Sequence, residues 1–336
     1  GFIGQNLALP FVPNELLGDL ALFHLPRAEY FGAVGVAVFF LITGFVIPAS
    51  LVRHNLTSFL LSRAFRIYPV HLVCLAIILF VSAASAVSLN RAPKGFEIDT
   101  IAGNALLISD LFHVNSLNPV IWTLLVEVKF YLLAGVLLAF GGFSFWSVIS
   151  LAIVCVSTIY IAPHILAGLG SVLAAPAAMI VYILLGSAIF LIYAHRVNLV
   201  VGVALVIVLA FAAEIGETAG RAASTWWLGL PGKWTALGIF ILAVMAAPLF
   251  RSRLRLLTFL GDISYPLYLL HMIVGLCLLG AILQATGNIY AALALTSAII
   301  TATAWVVHKV VEAPANELGK RLALRLSRAS KEPPVS

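Results

Sequence analysis

Residues 171–193 read SVLAAPAAMIVYILLGSAIFLIY. The run holds no Asp, Glu, Lys, Arg or His. As a helix rising about 1.5 Å per residue, it is long enough to cross the roughly 30 Å hydrocarbon core of a bilayer. Eight further apolar runs of similar length stand at 33–52, 67–88, 120–140, 146–165, 197–213, 235–250, 263–284 and 290–310. Segments of about ten residues with alternating hydrophobicity are missing, so the spans are expected to be helices rather than barrel strands. Connections as short as Gly141–Phe145 and Ala194–Arg196 make the helices they join antiparallel neighbours. The expected fold is therefore all-α, a polytopic membrane helical bundle of about nine spans.

Composition agrees. Of 336 residues, 62% are hydrophobic and 10% charged, and the mean hydropathy is +1.12. A soluble domain of this size cannot hide so much apolar surface in one core. A soluble enzyme, a disordered tail and a fibrous repeat are thereby excluded. The net charge is +6. In a soluble chain that would raise nucleic-acid binding; here it reads as basic loops on the cytoplasmic side, so no nucleic-acid partner is expected. With the loop after residue 52 placed in the cytoplasm, thirteen of the nineteen Lys and Arg fall inside and five outside, with Lys129 within a span. This bias orients the chain as a multi-pass protein of the inner (plasma) membrane, with membrane lipids as neighbours. Residues 1–32 are polar and read as an extracytoplasmic loop, 33–314 as the transmembrane domain and 315–336 as a basic, mobile cytoplasmic tail. The start at Gly1 suggests that a first helix lies upstream, making ten spans. Cys74, Cys155 and Cys277 show neither metal spacing nor a disulfide framework. His71, His164 and His308 stand alone and read as structural.

Four constellations stand out against the apolar background. In Arg63-Ala-Phe-Arg66-Ile-Tyr-Pro69, the arginines at i, i+3 share one helical face. They suit either a phosphate clamp or anchoring to anionic headgroups. Thr57 is expected to cap a short helix there, with Pro69 opening the next span. In Trp122-Thr-Leu-Leu-Val-Glu127-Val-Lys129-Phe-Tyr131, a carboxylate sits inside an apolar span, at an insertion cost of about 2.5–3.5 kcal/mol. Thr123, Glu127 and Tyr131 form one stripe, and Lys129 lies about 200° away from it. Glu127 suits a functional site or a structural interhelical bond. In Gly261-Asp262-Ile-Ser264-Tyr265-Pro266-Leu-Tyr268-Leu-Leu-His271, Asp262 is expected as an N-cap and Pro266 in the first turn. Ser264, Tyr268, His271 and Gly275 would share a face, His271 about two turns into the membrane. A neutral histidine bonded between helices is the alternative. Gly35-Val-Ala-Val-Phe39-Phe40-Leu-Ile-Thr43-Gly44-Phe45 reads as helix packing.

Taken in order, with Val311-Glu312-Ala-Pro314 after the last span, these segments resemble membrane-bound acyltransferase family 3, which acylates surface polysaccharides, lipids and small glycosides. The resemblance implies an acyl-CoA donor (acetyl-CoA as co-substrate, no bound cofactor and no metal) on the cytoplasmic side and transfer to a hydroxyl of a carbohydrate or lipid-linked acceptor. It places Arg63 and Arg66 on acyl-CoA, Glu127 and His271 at the catalytic centre, and Trp122, Tyr131, Ser264, Tyr265 and Tyr268 against substrate. The family's usual base is a histidine on its first helix. No span precedes residue 33, and only His24, in the polar loop, stands nearby. Val128 and Lys129 depart from the family's pattern of a second acid followed by Gln. On this reading an upstream imidazole is the base, Glu127 orients it or binds the sugar, and Tyr268 or His271 donates to the thioester oxygen. A transporter or flippase using Glu127, Lys129 and His271 as a path, or a non-catalytic scaffold, is the rival class.

Overall fold

A computed structural model describes residues 28–51, 55–88, 96–112, 114–139, 142–166, 169–220, 230–247 and 255–329. All regular structure among them is helical: α1 (Ala28–Leu51), α2 (Leu56–Ser88), α3 (Ile98–Ala105), α4 (Ile121–Ala139), α5 (Phe145–Ile165), α6 (Leu169–Tyr193), α7 (Leu199–Gly220), α8 (Leu230–Ala246), α9 (Arg255–Leu270), α10 (Ile273–Thr286), α11 (Ile289–Val307), a π-helical turn (His308–Glu312) and α12 (Ala313–Ala329). A helix stands at each of the nine expected positions. Five are long and apolar enough to cross a membrane, or six if the bent pair α9–α10 counts as one. The stretches 199–214 and 232–246 are apolar but shorter. Among the described residues, length and composition thus assign fewer spans than the nine expected.

The chain divides into two compact units. One comprises residues 26–61, 125–251 and 323–336. Its hub is α6, which packs against α1, α5 and α7. Every residue from Ala177 to Ile189 is buried, as a helix apolar on all sides requires. Lipid tails are as apolar as leucine, so close backbone approach must do the work of association. Here α1 and α6 cross at two glycines. A Cβ on Gly44 would run into the Ile183 carbonyl oxygen, and one on Gly186 into that of Leu41. Ser187 Oγ donates to the Gly44 carbonyl at 2.8 Å. Beside the crossing, Phe45 meets Phe190, Tyr193 and Phe240 edge-on. The packing reading of this motif therefore holds at Gly44, whereas Gly35 faces open space. Lys233 sits buried in the first turn of α8, 3.5 Å from Glu214.

The other unit comprises the described residues within 62–124 and 252–322. Several local expectations are corrected in the helices that build it. Asn55, not Thr57, caps α2: the Ser58 N–H donates to Asn55 Oδ1 at 2.9 Å. The helix then runs unbroken through Pro69, which lies well inside it. Likewise α9 opens at Arg255, so Asp262 is not a cap and Pro266 falls beyond the first turn. The helix ends at Leu270, and α10 leaves at 78°, so Gly275 shares no face with Tyr268. Finally, the tail is helical as far as Ala329. His308 is not isolated, since its Nδ1 pairs with Glu312 Oε2 at 2.9 Å. Their π turn has a local cause: Pro314 lacks an N–H and crowds the carbonyl four residues back, and one wider turn relieves both. The Ala313 N–H bonds accordingly to the His308 carbonyl.

Candidate functional site

The break after Leu270 is the centre of the second unit's polar chemistry. A helix end leaves carbonyls without intrahelical donors. Two of them are satisfied by side chains. Asn118 Nδ2 donates to the Leu269 carbonyl at 2.8 Å. His271 Nδ1 lies 2.6 Å from the Tyr268 carbonyl. A carbonyl oxygen only accepts, so Nδ1 carries the hydrogen and Nε2 holds the lone pair. His271 is exposed, and its ring lies 5.6 Å from that of Tyr268. The Tyr268 hydroxyl is 2.9 Å from Thr123 Oγ1 and donates to the Val120 carbonyl at 3.3 Å. The start of α4, the end of α9 and the imidazole are thus held as one group.

The loop between α3 and α4 is fastened by an asparagine that sequence reading passed over. Asn104 is fully buried. Its Nδ2 donates to the Thr100 and Asn115 carbonyls at 2.9 and 2.8 Å, and its Oδ1 accepts from the Leu117 N–H at 3.0 Å. His71 Nε2 donates to the Asn104 carbonyl at 2.9 Å, which gives that histidine the structural role expected. A signal existed: Asn104, Asn115 and Asn118 cluster between two apolar runs, where amides are the residues able to tie irregular backbone. Asn104→Ala should lower stability by about 1–3 kcal/mol by orphaning the Leu117 N–H and the Asn115 carbonyl. An unchanged thermal midpoint in detergent would contradict this role.

The remaining expected residues divide into two groups. Tyr265 donates its hydroxyl to the Ile67 carbonyl at 3.1 Å, tying α9 to α2 beside Arg66. Ser264 donates to the Gly261 carbonyl of its own helix at 2.7 Å. These bonds give Tyr265 and Ser264 structural work to do. Arg63 is half-buried and Arg66 exposed. Trp122 is half-buried in the first turn of α4. In the first-described unit, Glu127 is buried and accepts a hydrogen bond from Tyr131, as their stripe implies. Thr123 is buried on the same stripe of α4 one turn earlier, while Lys129 is off the stripe and half-buried. His24 lies outside the described residues.

A helical protein with this many apolar segments and a polar helix break is a multi-pass membrane protein. A family model described as an acyltransferase domain, that of acyltransferase family 3, matches residues 6–308. The chain belongs to that family and is a membrane acyltransferase. No curated protein and no solved structure shows a significant match.

Proposed function

We propose that the protein transfers an acyl group, acetyl in our reading, from acyl-CoA to a hydroxyl of a carbohydrate or glycolipid acceptor at the bacterial inner membrane. The observation that carries this is His271, fixed through Nδ1 at a helix break with Nε2 left basic. The acceptor O–H gives its proton to Nε2 as the oxygen attacks the thioester carbonyl. Collapse of the adduct breaks the carbon–sulfur bond, and the imidazolium returns the proton to the leaving thiolate. In this tautomer His271 acts as base rather than as donor to the thioester oxygen. The donor role passes to the Tyr268 hydroxyl, whose hydrogen turns from the Val120 carbonyl to the thioester oxygen as negative charge develops there. Glu127 serves the acceptor or its orientation. Arg63 and Arg66 hold the donor phosphates.

The test is release of coenzyme A thiol by the purified full chain, with and without an acceptor sugar. Arg63→Ala and Arg66→Ala should each raise the donor KM about 10- to 100-fold, the worth of a charge-assisted phosphate contact. Wild-type KM values in both variants would remove the arginines from the donor site. The 78° break also suits a transport path, since discontinuous helices carry such sites. Acceptor movement across a vesicle without thiol release would decide for that reading.

A further inference from the structure

The last helix crosses α2 at the arginine pair. A Cβ on Gly319 would stand 2.6 Å from Phe65 Cβ, and Phe65 lies between Arg63 and Arg66. Earlier in the chain, Glu312 lies within electrostatic range of Cys74, further along α2. The later Gly319 thus lies against the start of α2 and the earlier Glu312 lies nearer Cys74, so the two helices run antiparallel.

That direction decides which side chains share a side of the crossing. On any α-helix, positions i+1 and i−3 from a contact residue lie about 100° and 60° around it, on the same flank. When two antiparallel helices face each other, these flanks coincide. On α2 they carry Arg66 and Ser62; on α12 they carry Lys320 and Asn316. The opposite flanks carry Ala64 and Tyr68 of α2, and Leu318 and Leu322 of α12. The crossing thus has one polar and cationic side and one that is largely apolar.

Helices that touch through a glycine lie about 8 Å apart, a gap that arginine and lysine side chains span. Arg66 and Lys320 are both exposed, and neither joins an ion pair among the described residues. Two cations on one side of a crossing repel each other, and an anion with closely spaced negative groups removes that cost.

We propose that Lys320, with Asn316, completes a polyphosphate-binding face with Arg66, and that this face holds the phosphates of the acyl donor. The assignment rests on the acyl-CoA reading above. Anionic lipid headgroups offer the same phosphate chemistry, so the test separates the two sources. The full chain is placed in nanodiscs of purely zwitterionic lipid and titrated with coenzyme A and with adenosine 3′,5′-bisphosphate. Lys320→Glu should weaken both by about tenfold or more and flatten the salt dependence, whereas Lys320→Arg should not. Gly319→Leu, which pushes the helices apart, should weaken both as well. The control is Arg321→Glu, the same charge change on the far side of α12, where Arg321 pairs with Glu317 at 3.0 Å. It should shift binding by no more than about twofold, because exposed charges are screened over roughly 8 Å at physiological salt.

Wild-type affinity in Lys320→Glu overturns the proposal, and a simultaneous loss in Arg66→Ala leaves the acyl-CoA reading standing. Equal losses in Lys320→Glu and Arg321→Glu also overturn it, since a diffuse surface charge would then explain both. So does a Lys320→Glu effect confined to competition by phosphatidylglycerol added to the nanodiscs, which would assign the face to lipid. A wild type that binds no coenzyme A overturns this proposal and the donor reading together.

Discussion

Replacing His271 with alanine is expected to slow acyl transfer by about 10²–10⁴-fold, the usual worth of a positioned general base, while coenzyme A still binds. The structure makes this a selective test. His271 is exposed, and its bond to the Tyr268 carbonyl is local to one turn, so its loss costs little packing. A structural histidine would show the reverse pattern, with a lower melting temperature and a rate falling only in step with the folded fraction. His271→Asn separates the roles further. Its amide can donate to the same carbonyl, as Nδ1 does, but has no basic lone pair to take a proton. Stability should recover and the rate should not. A near-wild-type rate per folded molecule in either variant would remove His271 from the chemistry.

Gly186→Val is expected to have the largest effect on folding. The new side chain would meet the Leu41 backbone, with the Leu41 carbonyl carbon 2.9 Å and the Phe45 N–H nitrogen 3.0 Å from its Cβ. Neither is the flexible end of a side chain, so α1 and α6 must separate. That would break the Ser187–Gly44 bond and unstack Phe45. The cost is about 3 kcal/mol, at the upper end for overpacking, because backbone cannot repack. Detergent-solubilised protein should lose yield and thermal stability together. Gly35→Val, at a glycine that faces open space, is the matched control and should change neither by much. Equal behaviour of the two variants would refute the close crossing.

Much of the fold was legible because a bilayer leaves few choices. The run at 171–193 is charge-free on every side, and the structure makes it the buried hub of its unit. Helix ends were less legible. Pro69 and Pro266 read as first-turn residues, yet both lie inside longer helices, since a bundle can satisfy or tolerate the one carbonyl that each proline frees. The Glu127–Tyr131 bond was readable from i, i+4 spacing on one helix. The Tyr268–Thr123 contact was not, because it joins residues far apart in the chain.

The sequence by itself determined the helical class, the membrane setting, the family and the positions of the arginine pair, the buried acid and the histidine. Each follows from local quantities: run length, charge count, or spacing along one helix. Only the tertiary structure decided that the helix ends at Leu270, where no glycine or proline marks a stop. The carbonyls freed by that break need donors, and one comes from Asn118, distant in sequence. The same break turns His271 from one residue on a helix face into an imidazole whose Nδ1 is committed and whose Nε2 has no partner among the described residues. The pairing of α12 with the arginine pair is tertiary for the same reason: it depends on which glycine lets two distant helices touch, and in which direction they run.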